Sequence, residues 1–126
     1  MTGRQSLLIG AVLGATGVVA GAFGAHALRG RLDPADLAVF ETAARYQLYH
    51  ALALVAVSIW LEQAVRAPFE WAARLFALGV VLFSGSLYLL VLTGQKWLGA
   101  VTPVGGGVLI LGWLALAAGA LGRSGR

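Results

Sequence analysis

Long apolar stretches alternate with short polar breaks along the chain, and the lengths of these stretches suit a membrane. A helix needs about 20 apolar residues to cross a hydrocarbon core that is roughly 30 Å thick. Such stretches lie at about 7–26, 45–61, 72–92 and 103–121. Because the breaks between them are short, neighbouring helices must be antiparallel. The pattern predicts an all-α integral membrane protein, a four-helix up-and-down bundle that forms one transmembrane domain over residues 1–126.

The second span is preceded by a segment that is amphipathic rather than apolar. Asp33 and Pro34 supply a helix N-cap and a proline at the first helical position. A helix that begins there and includes the second span is about 42 Å long, which exceeds the membrane core. We therefore expect residues 34–44 to lie at the membrane surface, with Glu41 and Arg45 as a weak i,i+4 ion pair.

Glycine recurs at regular helical spacing in two of the spans. In the first span the intervals are three and four residues, the period of a packing face in a left-handed supercoil, and in the fourth they are seven residues. In lipid, small residues allow helices to associate by close backbone packing. The glycine-rich seams therefore predict tight helix packing. The expected packing residues are Gly10, Gly14, Gly17, Gly21, Gly24, Gly105, Gly112 and Gly119.

Composition and charge support a membrane protein and exclude several other classes. Of the 126 residues, 60% are hydrophobic and only 11% are charged, whereas a soluble domain has about 25% charged residues. The absence of cysteine excludes disulfides and thiol catalysis. The net charge is +4, but the basic residues lie singly or in pairs beside apolar stretches, as membrane anchors do. We expect no nucleic-acid partner.

The distribution of basic residues between the two membrane faces predicts the orientation. The side of the N-terminus carries Arg4, Arg66, Arg74, Arg123 and Arg126, and the other side carries Arg29, Arg31, Arg45 and Lys96. The side of the N-terminus thus has one basic residue more than the other side. By the positive-inside rule this predicts a protein of the bacterial inner membrane with both termini in the cytoplasm.

Polar side chains gather in the spans toward the face opposite the termini. On a helical wheel Tyr46, Gln47 and His50 fall within about 100° of one another, so they can face one partner. Because polar groups inside a membrane are costly, they indicate a functional site by default. The candidate ligand-binding residues are His26, Arg45, Tyr46, Gln47, His50, Ser86, Tyr88 and Thr102.

Several interpretations of these residues stay open. They form either a shallow site for a lipid headgroup, a small amphiphile or a partner helix, or a set of hydrogen bonds that only holds the helices together. One alternative function is that of a subunit of an oligomeric transporter or channel. A second is a haem- or quinone-linked redox subunit that uses His26 and His50.

The sequence contains no motif that is typical of an enzyme active site. The chain has no intramembrane pair of carboxylates, nucleophile elbow, phosphate loop or zinc-protease motif. We therefore predict a non-enzymatic protein with no catalytic residue, metal site or cofactor. The expected partners are membrane lipids, together with a second copy of the chain or another membrane protein.

Four segments of the chain are similar to those of a known family. They are GAFGAHAL at 21–28, FETAARYQLYHALAL at 40–54, FSGSLYLLVLTG at 83–94 and WLGAVTPVGGG at 97–107. The chain resembles the domain-of-unknown-function family numbered 423 over about residues 7–120. Those proteins are small bacterial inner-membrane proteins related to an animal transmembrane protein numbered 256. The resemblance implies four transmembrane helices, no established activity, and recurrent polar positions at His26, Tyr46, Gln47, His50, Ser86, Tyr88, Thr102 and Pro103.

Overall fold

Helices account for almost all of the chain in the computed structural model, which describes residues 1–64 and 66–123. The N-terminal helix, Gly3–Leu28, is continuous and consists of α1 (Gly3–Val18), a π-helical segment (Val19–Gly24) and α2 (Ala25–Leu28). The other helices are α3 (Pro34–Gln63), α4 (Ala67–Thr93) and α5 (Leu98–Arg123). The all-α prediction is confirmed. Arg126, one of the basic residues used for the orientation, lies outside the described residues.

The helix ends follow from capping residues in the sequence. The Asp33 carboxylate accepts a hydrogen bond from the backbone N–H of Asp36 at 2.8 Å, so it is the N-cap of α3 as expected. At the end of α4, Gly94 has φ of 70°, the left-handed conformation that glycine adopts most easily. α5 begins at Leu98, five residues before the predicted span, and Pro103 lies inside it. The backbone N–H of Leu98 donates to the Gln95 carbonyl oxygen at 3.1 Å, so the turn that leads into the helix already forms before Pro103, and the Leu98 side chain is buried.

Each helix packs against the next one along the chain. The N-terminal helix lies on α3, α3 on α4, and α4 on α5. The pairs are antiparallel: Gly3 faces Glu62 near the end of α3, whereas Gly24 faces Phe40 near its start. Within the described ranges, the N-terminal helix and α5 are not among the closely packed pairs. The closing of the four helices into a bundle therefore stays a prediction.

Glycines lie where the helices approach each other most closely. A Cβ atom on Gly10 would lie 2.9 Å from the carbonyl oxygen of Ala51, and one on Gly112 would lie 2.7 Å from the Phe76 ring. Such a Cβ would come within 3.1 Å of a neighbouring helix at Gly10, Gly17, Gly24, Gly105, Gly112 and Gly119. At Gly14 and Gly21 it would meet only ordinary contacts, at 3.9 and 3.6 Å. The closest approaches therefore recur every seven residues.

The hydrophobic core lies between α3, α4 and α5, in the half of the molecule that contains the N-terminus. Its largest fully buried side chains are Phe69, Phe76, Leu54, Leu61 and Val57. Two buried serines, Ser6 and Ser58, also lie in this half. Most of the candidate polar residues lie further along the helices, toward the other end of the molecule.

Three helices are long and apolar enough to cross a membrane: Gly3–Leu28, Ala67–Thr93 and Leu98–Gly122. α3 has 30 residues, but its charge-free part is limited by Arg45 and Glu62, and α3 is not among the three in the described part of the chain. The crossing of the membrane by the second half of α3 stays a prediction.

Candidate functional site

Gln47 connects three helices from a buried position on α3. Its side-chain amide donates hydrogen bonds to the Leu13 carbonyl oxygen at 2.9 Å and to Thr16 Oγ1 at 2.8 Å, both on the N-terminal helix. The Tyr88 hydroxyl of α4 donates to the side-chain oxygen of Gln47, Oε1, at 2.8 Å. Both amide hydrogens and the side-chain oxygen of Gln47 thus have partners inside the protein, and these bonds connect α3 to the N-terminal helix and to α4.

His50 is also buried, and both of its ring nitrogens have partners. Trp113 Nε1 of α5 donates to His50 Nε2 at 3.1 Å. An indole nitrogen only donates, so Nε2 must accept and the proton must be on Nδ1. Nδ1 lies 2.7 Å from the Tyr46 carbonyl oxygen and donates to it. The arrangement fits a neutral imidazole that joins α3 to α5.

Ser86 and Thr102 of the predicted cluster also bond within the protein, as does Ser84, which was not among the candidate residues. The Ser86 and Thr102 hydroxyls lie 2.6 Å apart and connect α4 to α5. The buried Ser84 hydroxyl donates to the Ala43 carbonyl oxygen of α3 at 2.7 Å. In a membrane, interhelical hydrogen bonds of this kind hold helices together. Five of the eight candidate residues therefore have hydrogen-bond partners inside the protein: Gln47, His50, Ser86, Tyr88 and Thr102.

The two histidines are not brought together. His26 is exposed near the end of the N-terminal helix, and its neighbour Gly24 contacts Phe40. His50 lies ten residues beyond Phe40 on α3, which is about 15 Å along the helix axis. One haem iron cannot bind both imidazoles at that separation, so the geometry does not build the two-histidine redox site.

A first open groove lies between the N-terminal helix and α3, and we call it the interface groove. It has a volume of about 480 Å³ and is lined by Val18, Gly21, Ala22, Glu41, Ala44, Arg45 and Leu48. Within the described residues, Glu41 and Arg45 form no ion pair with each other or with another side chain. The prediction of an i,i+4 ion pair between them was therefore wrong. An exposed ion pair gains little free energy, so the two side chains can stay apart at little cost. Both charges are left facing one groove.

A second groove lies between α3 and α5, over Phe83 of α4, and we call it the aromatic groove. Its volume is about 510 Å³, and its lining residues are Tyr46, Tyr49, His50, Phe83, Gly106, Leu109, Ile110 and Trp113. The rings contact one another: Tyr46 and Phe83 have centroids 4.7 Å apart, and His50 and Trp113 have centroids 5.9 Å apart. Two candidate residues, Tyr46 and His50, thus share this second site.

Sequence reasoning missed Trp113, Phe83 and Thr16. A signal for Trp113 was present, because it lies in mid-span, whereas membrane tryptophans usually lie at the interfaces. An indole N–H inside a membrane also needs a hydrogen-bond acceptor, which His50 provides. Phe83 and Thr16 had no comparable signal, since each is an ordinary residue of an apolar span.

The fold and these two grooves are those of a helical membrane protein in which most polar groups within the spans bond one another. The family described as "Protein of unknown function (DUF423)" matches residues 20–106. A UPF0382 membrane protein of Staphylococcus haemolyticus is 44% identical over 110 residues, which cover 87% of this chain and 89% of that relative. The UPF0382 inner membrane protein YgdD of Escherichia coli K12 is 37% identical over 121 residues, covering 96% and 92% of the two chains.

The chain therefore belongs to this family of membrane proteins of unknown function. The predicted resemblance and the predicted membrane character are both confirmed. No solved structure matches the chain.

Proposed function

We propose that this protein binds a zwitterionic phospholipid in the interface groove, without catalysing a reaction, in the inner membrane. The observation that carries the proposal is the pair of unbonded, opposite charges, Glu41 and Arg45, in an otherwise apolar groove. A phospholipid with a phosphate and an ammonium group presents the complementary charges. The phosphate would bind the Arg45 guanidinium, and the ammonium would bind the Glu41 carboxylate.

The depth of Arg45 suits a lipid phosphate. From Arg45 to Glu62 the rise along α3 is about 26 Å, close to the roughly 30 Å of a membrane core. If this part of α3 crosses the membrane with Glu62 at one boundary, Arg45 lies at the other, where headgroups begin. The first turns of α3 then extend beyond the core, as the amphipathic segment 34–44 requires.

The apolar wall of the groove is supplied by the π-helical part of the N-terminal helix. π-Helical turns are rare and are found frequently at functional sites. Here the turn contributes the small residues Gly21 and Ala22, beside Val18, and leaves space next to Leu48 of α3. That space is suited to the first carbons of a lipid acyl chain below the headgroup.

Native mass spectrometry of protein extracted gently from its own membranes tests the proposal. We expect a zwitterionic phospholipid to be retained by the wild type and by the control Arg31→Gln, which changes an arginine at the same face outside the groove. Arg45→Gln removes a charged hydrogen-bond donor and should lower retention about tenfold or more. Equal retention by Arg45→Gln and Arg31→Gln would contradict the proposal.

A second variant tests the ammonium half of the site. Glu41→Gln removes the negative charge and leaves Arg45, so the retained lipid should change from zwitterionic to anionic species. An unchanged lipid profile would show that Glu41 does not select the headgroup. A clean oligomer with no bound lipid would instead favour the transporter or channel alternative.

We also propose that both termini face the cytoplasm. The Met1 ammonium group lies 2.7 Å from the Glu70 carboxylate, and Gly119 faces Phe69, so both ends of the described chain lie at one end of the molecule. A reporter fused to the C-terminus, active only in the periplasm, should be inactive. An active periplasmic reporter would reverse the orientation and move the interface groove to the cytoplasmic face.

A further inference from the structure

The residues of α3 that line the interface groove follow the order of the parts of a phospholipid. Leu48 lies beside the space suited to an acyl chain, Arg45 carries a positive charge and Glu41 a negative charge. Toward the start of α3, the rise is about 4.5 Å from Leu48 to Arg45 and about 6 Å from Arg45 to Glu41. A phospholipid with its tail beside Leu48 and its phosphate at Arg45 therefore extends its ammonium group toward Glu41.

The interface groove offers a carboxylate to this ammonium group, and no aromatic ring. Apart from Glu41 and Arg45, the described residues that line the groove are small or aliphatic. Proteins recognise quaternary ammonium groups such as choline with the faces of aromatic rings. A primary ammonium group has three N–H donors, and a carboxylate accepts strong, charge-assisted hydrogen bonds from them. The lining therefore suits a primary ammonium group better than a quaternary one.

The aromatic residues next to the two charged residues in the sequence are engaged elsewhere. Phe40 is buried, and its ring centroid lies 5.1 Å from that of Tyr88. Tyr46 lines the aromatic groove, and its ring centroid lies 4.7 Å from that of Phe83. Neither Phe40 nor Tyr46 lines the interface groove. A choline group bound there would have no ring from these two positions to contact.

The charges of the groove also favour a headgroup that is neutral overall. Among the described lining residues, Arg45 is the one basic side chain, and the phosphate uses it. A serine headgroup would add a carboxylate close to that of Glu41. Because like charges at close range repel each other, such a headgroup would bind less well. An ethanolamine headgroup has the primary ammonium without the additional carboxylate.

We propose that the interface groove selects phospholipids of the ethanolamine class, which carry a primary ammonium group, over those of the choline class. This inference rests on the proposed phospholipid site and names the headgroup that the site prefers. The Glu41 carboxylate accepts hydrogen bonds from the ammonium N–H groups and makes the selection. Arg45 binds the phosphate, which is the same in both classes, and does not distinguish them.

Competition between two matched lipids tests the selection. We would add equal amounts of dioleoyl phosphatidylethanolamine and dioleoyl phosphatidylcholine to the purified, delipidated protein and compare their adducts by native mass spectrometry. The two lipids share their acyl chains and phosphate and differ only in the methyl groups on nitrogen. The ethanolamine adduct should exceed the choline adduct about tenfold. The N,N-dimethyl lipid, which keeps a single N–H, should lie between them. Equal adducts, or more of the choline adduct, would overturn the proposal.

Two carboxylate variants on α3 test the role of Glu41. Glu41→Gln removes the charge, so most of the preference for ethanolamine over choline should be lost. Asp36→Asn is the matched control, because Asp36 is an exposed acid of the same helix that does not line the groove. It should keep the full preference. A preference in Glu41→Gln as large as in Asp36→Asn would overturn the assignment of the selection to Glu41.

Arg45→Gln separates a failure of the selection from a failure of the phospholipid site itself. It should weaken both adducts by a similar factor and leave their ratio unchanged. Ethanolamine and choline adducts that are equal, and that both fall in Arg45→Gln, would overturn the headgroup selection and leave the phospholipid site standing. Adducts that do not depend on Arg45, or no adduct with either lipid, would overturn both.

Discussion

The packing of α5 on α4 gives the sharpest prediction about stability, through a pair of glycines two residues apart. Gly105 faces α4, where a Cβ atom would lie 2.8 Å from the carbonyl carbon of Leu82 and from Phe83 Cα, with the Phe83 backbone nitrogen closer still. Gly107 is exposed, and a Cβ there would have nothing within 4 Å. The methyl group of alanine would therefore contact the backbone of α4 at position 105 and open space at position 107.

The expected magnitude follows from these distances. Two carbon atoms in contact prefer a separation of about 3.5–4.0 Å, and the Phe83 nitrogen is closer than the two carbons, so α4 must move by at least about 0.7 Å to accept the Gly105→Ala methyl group. Rotation of a side chain cannot relieve the contact, because the atoms met are backbone atoms. Overpacking of this kind costs about 1–3 kcal/mol. Gly107→Ala should leave the free energy of unfolding unchanged or raise it by up to about 1 kcal/mol.

The assay is equilibrium unfolding in mixed micelles of a mild detergent and dodecyl sulfate, followed by circular dichroism. Gly105→Ala should unfold at a lower fraction of dodecyl sulfate than the wild type, and Gly107→Ala should not. If the two variants unfold at the same point, the close approach of α5 to α4 does not limit stability, and the reasoning is refuted.

Four further outcomes are expected from the hydrogen bonds. Gln47→Leu and Tyr88→Phe should each lower the free energy of unfolding, and the effect of the double variant should differ from the sum of the two by about 1 kcal/mol. Strictly additive effects would contradict the hydrogen bond between these side chains. Asp33→Ala should cost about 1 kcal/mol by removing the N-cap of α3, whereas Asp33→Asn should cost much less. Ser84→Ala should cost about 1 kcal/mol in the same unfolding assay, because its partner carbonyl is left unbonded. Ser6→Ala should behave likewise, because the buried Ser6 hydroxyl donates to the Leu54 carbonyl oxygen at 2.7 Å. A neutral result for both serines would show that these buried bonds add nothing.

The sequence predicted the helices well because their signals are local. Apolar length set the spans, and Asp33 with Pro34 set the start of α3, which the structure confirms. The start of α5 was placed too late, since Pro103 is typical of a first turn but here lies inside the helix. The π-helical segment had no signal in the sequence.

The candidate site was less predictable, because a helical wheel gives the direction of a side chain but not its partner. Gln47 and His50 point in similar directions, yet Gln47 bonds to the N-terminal helix and α4, whereas His50 bonds to α5. Tyr88 lies 41 residues from Gln47 in the chain, so only the packing brings them together. The two open grooves likewise arise between helices and have no counterpart in any one segment.

Photo-crosslinking from within the interface groove tests the phospholipid site most directly. Val18 lines the groove and Val12 does not, although their exposed fractions are similar, at 51% and 53%. We would place a benzophenone amino acid at each position, irradiate native membranes and identify the lipid adducts by mass spectrometry. At position 18 we predict zwitterionic phospholipid enriched over the bulk membrane, with the enrichment lost in Arg45→Gln; position 12 should match the bulk. Adducts at position 18 that match the bulk composition, with or without Arg45, would contradict the account.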